Sequence, residues 1–255
     1  EVPSRQEQQG ETAEPIVGEV IEEPSPFVEQ VMADVERLSA EDEPYHREPI
    51  TYEAPYLDNL PTAPREKFAA NIAAIQKLKE IEQRVANGGS PAFEDEQRIL
   101  AQYTGWGGLS DAFDPNKSTW SNEYSQLKAA LSESEYEAAR SSTLTAFYTP
   151  ATVIHPIYRA LERFGVKGGK ILEPSMGTGA FLAHGHFGSS DAKFYGVELD
   201  SITGRISKQL YQKANIQVTG YENALLPDNY FDCVIGNVPF GNFQVNDPQY
   251  NRLHF

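Results

Sequence analysis

From Gly169 onward, short apolar stretches that suit strands alternate with stretches of helical period, and this alternation constrains the fold more than any other feature of the chain. Strands are expected near 170–173, 194–198, 216–219 and 231–236, with helices near 179–184 and 201–214. Strands separated by helices are joined as parallel neighbours, because a parallel pair needs a long crossover connection. The expected fold class is α/β, with a doubly wound parallel sheet. A complete sheet of this type has roughly six or seven strands. About four are legible before Phe255. The sheet is therefore expected to be truncated after about its fourth strand, with the remainder in a missing C-terminal part or on another chain.

The region before the sheet reads as a helical annex. Phe68, Ile72, Ile75, Leu78, Ile81 and Val85 form one apolar stripe over 63–86, and Gly88-Gly89 ends it. Further helices are expected over 92–103, 122–131, 134–141 and 151–164, with Ser132 and Glu135 spaced as a capping box. The glycine-aromatic turn Tyr103-Thr104-Gly105-Trp106-Gly107-Gly108 is either a ligand loop or a tight corner between domains. Residues 1–55 read as an acidic disordered tail or linker, 60–145 as the annex and 146–255 as the N-terminal part of the sheet domain. An apolar helical spacing from Phe27 to Leu38 is the exception within the tail.

Charge follows this division. The chain carries a net −16, and residues 1–60, with 16 acids and 3 bases, account for most of it. The acidity thus says little about the folded part, which shows no basic run of the kind that marks a nucleic-acid grip. One cysteine, Cys233, expected to be buried in a strand, excludes an internal disulfide framework and fits a reducing, cytoplasmic compartment. No apolar run is long enough to span a bilayer, so no membrane partner is expected. His184 and His186 do not complete a metal site, and no metal is expected.

The chemistry collects at strand ends. Glu173-Pro174-Ser175-Met176-Gly177-Thr178-Gly179-Ala180-Phe181 follows the first strand and opens a helix. It is neither the dinucleotide fingerprint nor a phosphate loop. Its glycines let backbone N–H groups approach a ligand, and the turn suits one with a nucleoside and a methionine tail, S-adenosylmethionine. Glu198 closes the second strand, where a carboxylate can accept from two ribose hydroxyls. Asp200 reads as a helix cap. Glu222 or Asn223, after the third strand, could meet an adenine edge. Asn237-Val238-Pro239-Phe240 follows the fourth. A conjugated amine is a poor nucleophile. The Asn237 side-chain oxygen and the Val238 carbonyl can accept its hydrogens, Pro239 stiffens the turn, and Phe240 can stack on a flipped-out base.

The order Phe147-Tyr148-Thr149-Pro150, Glu173 to Phe181, Glu198, Glu222, Asn237 to Phe240 resembles the gamma-class DNA adenine-N6 methyltransferases. The resemblance covers about residues 60–255. It implies a Rossmann-like S-adenosylmethionine-dependent methyltransferase domain, and it implies that Tyr148, Thr149 and Pro150 contact the methionine end of the cofactor. It further implies cofactor contacts from Glu173, Gly177, Gly179 and Phe181, and ribose binding by Glu198. The family's catalytic tetrapeptide usually has proline where this chain has Val238. The 103–108 segment also looks like the methyltransferase region of large helicase-methyltransferase proteins of plasmids, phages and conjugative elements. The implied partners are DNA and the rest of the same protein, including a helicase-like ATPase region. Two other readings stay open. One is a methyltransferase acting on a protein glutamine amide, which uses a similar clamp. The other is a non-catalytic scaffolding or docking fragment of a mobile-element protein.

Overall fold

A computed structural model describes residues 48–52, 60–144, 146, 148–185 and 192–238. Pro239, Phe240, Phe147, His186, the 27–38 segment and the rest of the acidic tail lie outside the described residues.

The annex forms as the apolar spacing dictates. Helix α1 (Pro64–Ala86) starts with proline at its first position, and the chain leaves it through Gly88 at φ 81°. Its stripe of Phe68, Ile72, Ile75, Leu78 and Ile81 is buried, and each such side chain contributes about 1.5–3 kcal/mol. Helices α2 (Glu94–Leu100), α3 (Ser121–Ala130) and α4 (Glu133–Ser141) follow, and the Ser132–Glu135 capping box is formed. Helix α2 is shorter than its periodicity predicts. The segment before it is held by the Arg84 guanidinium, which donates to the Ser90 and Pro91 carbonyls.

Helix α5 (Ala151–Arg163) leads into β1 (Gly169–Glu173), α6 (Ala180–Ala183), β2 (Ala192–Glu198), α7 (Ser201–Leu210), β3 (Asn215–Val218) and β4 (Cys233–Val234). The strands form one parallel sheet of order β3-β2-β1-β4. The predicted strand over 231–236 has only two residues in the ladder proper. Bonds from the Asp232 amide to the Lys170 carbonyl and from Ile235 to Leu172 extend it on both sides. Helix α7 stops at Leu210, four residues short of expectation, because Tyr211 leaves the helical region to bridge Thr51. Cys233 is half-buried rather than fully enclosed.

Register partners share a face, so Ile171, Phe194 and Cys233 point the same way. That face receives α5 and α6 through a core of Ile154, Tyr158, Ile171, Phe181 and Ile235. Beside it, α7 packs on β3, with Gly204 against Val218. The annex lies over α7, and one apolar core runs from Ile75 and Leu78 through Ile202 and Ile206 to Ile216. Annex and sheet are thus fused through shared packing. The order β2-β1-β4 makes β1 the switch point of the sheet, and its C-terminal end is where parallel sheets of this type bind ligands.

Candidate functional site

Glu173 ends β1 and is 3% exposed. Burial first, then the Glu198 charge, pushes its carboxyl well above the usual range. Among the described residues its Oε2 has no hydrogen-bond partner. A buried acceptor left open costs stability unless a ligand completes it.

The glycine loop that follows bends at Gly177 and Gly179, with φ of 54° and 76°, where a side chain would be strained. A Cβ on Gly179 would run into the Tyr211 ring, and one on Gly177 would lie 2.6 Å from Cε1 of Tyr148. The loop is tied to its neighbours on two sides. Its Gly177 amide donates to Glu198 Oε2 at 2.7 Å, and its Gly177 carbonyl accepts from Ser207 Oγ at 2.9 Å. Ser207, fully buried in α7, is a support that sequence reasoning missed. The only signal was a polar residue on the buried face of a helix.

Glu198 ends β2. Besides Gly177 it accepts from the Asp200 amide through Oε1 at 2.7 Å. Burial raises its pKa, against the lowering effect of the Asp200 and Gly177 amides. The amides of Asp200, Gly177 and Leu199 together use three of the roughly four acceptor positions of the carboxylate, which leaves room for a hydroxyl donor. Asp200 caps α7, accepting from the Thr203 amide at 2.8 Å.

On the other side of β1, Asn237 and Val238 leave β4 and are exposed. Asn237 Nδ2 donates to Thr149 Oγ1 at 3.1 Å. This bond joins two segments that the sequence holds far apart. Pro150 is the N-cap residue of α5 and is exposed. The structure therefore brings Tyr148, Thr149, Gly177, Glu198 and Asn237 into one connected group around the end of β1.

Other expected residues sit differently. Phe181 is 2% exposed and packs in the core under α5, where Tyr158 donates to its carbonyl at 2.8 Å. It seats α6 from within. Glu222 and Asn223 are exposed on a short turn (Tyr221–Asn223) after β3, and the Asn223 amide group donates to Glu222 at 3.0 Å. His184, which the sequence pairs with His186, meets His155 of α5 ring to ring, with nitrogens 3.2 Å apart. Among the described residues, no group of three or more His, Cys, Asp or Glu could hold a metal ion, and no helix is long and apolar enough to cross a membrane.

The acceptor set fits S-adenosylmethionine. The open, buried Glu173 carboxyl suits an ammonium group, and Glu198 keeps acceptor capacity for ribose hydroxyls.

Comparison with known proteins finds one family model and a few relatives. Residues 133–253 match the family model described as N-6 DNA Methylase. The chain is 28% identical over 198 residues to the Defense against restriction protein B of Escherichia phage P1, a match covering 77% of this chain and 7% of that protein. It is 33% identical over 95 residues to the modification methylase CviBIII of Paramecium bursaria Chlorella virus NC1A, covering 37% of this chain and 25% of that protein. The chain therefore spans a small part of both relatives. A TehB-like SAM-dependent methyltransferase of Corynebacterium glutamicum aligns over 32% of this chain and 43% of its own, at 23% identity and a TM-score of 0.26. Over residues 133–253 the chain is thus similar to the N-6 DNA methylases, and S-adenosylmethionine is the methyl donor that its site fits.

Proposed function

We propose that this chain carries the cofactor half of a DNA methyltransferase that transfers a methyl group to the exocyclic N6 amine of adenine. The observation that carries the proposal is the bond from Asn237 Nδ2 to Thr149 Oγ1. With its NH2 group engaged by the threonine, Asn237 keeps its side-chain oxygen as an acceptor. The exposed Val238 is positioned to offer its carbonyl as the second acceptor.

When bound, S-adenosylmethionine supplies an activated methyl group on a sulfonium. The residues of this chain do the rest by position and polarity. Glu173 takes the ammonium group, Glu198 the ribose, and the Tyr148-Thr149-Pro150 segment lines the methionine end. Two acceptors on the amine hydrogens would draw the nitrogen lone pair out of conjugation, so that the nitrogen could take the methyl group as its carbon–sulfur bond breaks, leaving a neutral thioether, with one amine proton lost to solvent. Such a transfer rests on orientation and preorganised acceptors, without a covalent enzyme intermediate.

The test is methyl transfer from labelled cofactor to duplex DNA, followed by nucleoside analysis, in a protein carrying this chain together with its natural neighbours. Label is expected on N6-methyladenine. Asn237→Ala is expected to keep cofactor affinity and lose at least about a hundredfold in turnover, the scale seen when a polarising group is removed. Label on cytosine, or on protein, overturns the adenine assignment. Full activity in Asn237→Ala overturns the clamp.

A further inference from the structure

The turn Tyr103-Thr104-Gly105-Trp106-Gly107-Gly108 belongs to the annex by sequence, yet it reaches the site. Asn71 of α1, fully buried, grips it twice. Its Nδ2 donates to the Gly105 carbonyl at 2.7 Å, and its Oδ1 accepts from the Thr104 amide at 2.8 Å. Lys67, one helical turn earlier, donates to the Gly107 carbonyl at 3.1 Å. Trp106 is 1% exposed and packs edge-on against Phe68 and Phe113. The turn is thus rigidly mounted on the annex.

What it presents to the sheet is the bare backbone of Gly105. A Cβ there would lie 2.6 Å from the Tyr148 hydroxyl and 3.2 Å from Cε2 and Cζ of the ring. The other edge of that ring faces Gly177, where a Cβ would lie 2.6 Å from Cε1 and 2.8 Å from Cδ1. Tyr148 is held between two glycines, one from the annex and one from the cofactor loop. Tyr103, at the start of the turn, is buried as well. Burial foremost pushes both phenols up, and the nearby charges of Glu198 and Asp200 add to this.

We propose that the Tyr103–Gly107 stretch backs the S-adenosylmethionine site from behind, and that Asn71 and Gly105 are positioning residues that set Tyr148 and, through it, the Gly177 loop. The annex is then a working part of cofactor binding as well as of the core. This rests on the cofactor site proposed above. It follows that changes in the annex alter cofactor affinity without touching any group that contacts the cofactor.

The test is calorimetric titration of the full chain with S-adenosylmethionine, with thermal melts to show that each variant is folded. Gly105 and Gly108 share a strained backbone, at φ 67° and 77°, but a Cβ on Gly108 meets nothing within 4 Å. Gly105→Ala is expected to weaken binding about tenfold, the size of a direct coupling between contacting residues. Gly108→Ala, which bears the same strain without the contact, is expected to bind like the parent. Adding Tyr148→Phe to Gly105→Ala removes the closest clash and is expected to restore part of the affinity. If Gly105→Ala does not fold, Lys67→Met, which frees the Gly107 carbonyl at the rim of the turn, is expected to weaken binding about threefold, as the loss of one hydrogen bond would. Parent-like affinity in folded Gly105→Ala, or in Lys67→Met where that serves as the test, overturns the proposal and leaves the cofactor site standing. So does equal weakening in both alanine variants. No binding by the parent chain overturns the cofactor site, and this proposal with it.

Discussion

Glu173 shows how a single buried side chain can tie pH to ligand binding. The phenols of Tyr158 and Tyr211 and the carboxyl of Glu198 lie within its electrostatic reach, and none of them favours its charge. Its folded pKa is raised, chiefly by burial. An ammonium group placed beside it favours the ionised form. Binding is then linked to loss of a proton. Cofactor affinity is expected to rise with pH between the bound and free pKa values of Glu173 and to level off above the free one. For folding the sign is the reverse. The stability this group permits is fully present below its unfolded value near 4.5 and is lost as pH rises through the raised folded value. Glu173→Gln should therefore flatten the affinity profile, weaken binding about tenfold to a hundredfold, and lessen the loss of stability at neutral pH. Titration in two buffers of different ionisation enthalpy counts the released proton. A parent that releases none, or a glutamine variant with an unchanged profile, would remove the role given to Glu173.

At the scale of elements, the parts that local rules govern were legible in the sequence. The α1 stripe, the Ser132 capping box, the Asp200 cap and the four strands all follow from periodicity and short-range chemistry. The strand ends then located Glu173, Gly177, Glu198 and Asn237. What the sequence did not reveal is contact between distant segments: Asn237 with Thr149, Gly105 with Tyr148, and Arg205 with Glu82. Nothing in a local period encodes such pairs, because packing of whole elements creates them. Arg205 of α7 is the clearest case. It donates from Nε and Nη2 to the two oxygens of Glu82 on α1, and from Nη1 to Glu135 on α4, at 2.6–2.7 Å. Burial opposes the charge on Glu135, but the bonds from Arg205 and Ser132 and the charge of Lys79 outweigh it and hold the carboxyl down at about 2. This share of stability is present above 4.5 and is lost as pH falls toward 2. Arg205→Ala is expected to cost about 1–2 kcal/mol at neutral pH, since the group is partly exposed. Denaturant melts should show the gap to the parent narrowing in acid. A gap that is constant with pH would mean that packing, and not the ion pairs, joins α7 to the annex.

For the whole molecule, the decisive question is where the acidic N-terminal region stops and the working structure begins. Composition alone marks residues up to about 50 as dispensable, since they bury too little apolar surface to offset ordering. The structure moves that limit upstream. Ile50 exchanges hydrogen bonds with Gln212, Thr51 bridges Tyr211, and the Tyr52 amide donates to the Leu210 carbonyl at 2.8 Å. Tyr52 is 4% exposed and belongs to the main core. Tyr211 in turn fills the space beside Gly179. The short segment 50–52 therefore braces the ring on which the glycine loop rests. Removing residues 1–43 is expected to leave the melting temperature nearly unchanged. Removing residues 1–52 is expected to cost about 3 kcal/mol or more, the scale for losing a large buried aromatic, and to weaken S-adenosylmethionine binding as Tyr211 loosens. Thermal melts and cofactor titrations on the two truncations separate these effects. Equal melting temperatures for both would show that Tyr52 adds nothing to the core. Unchanged affinity in a folded, destabilised 1–52 deletion would cut the link from this segment through Tyr211 to the glycine loop.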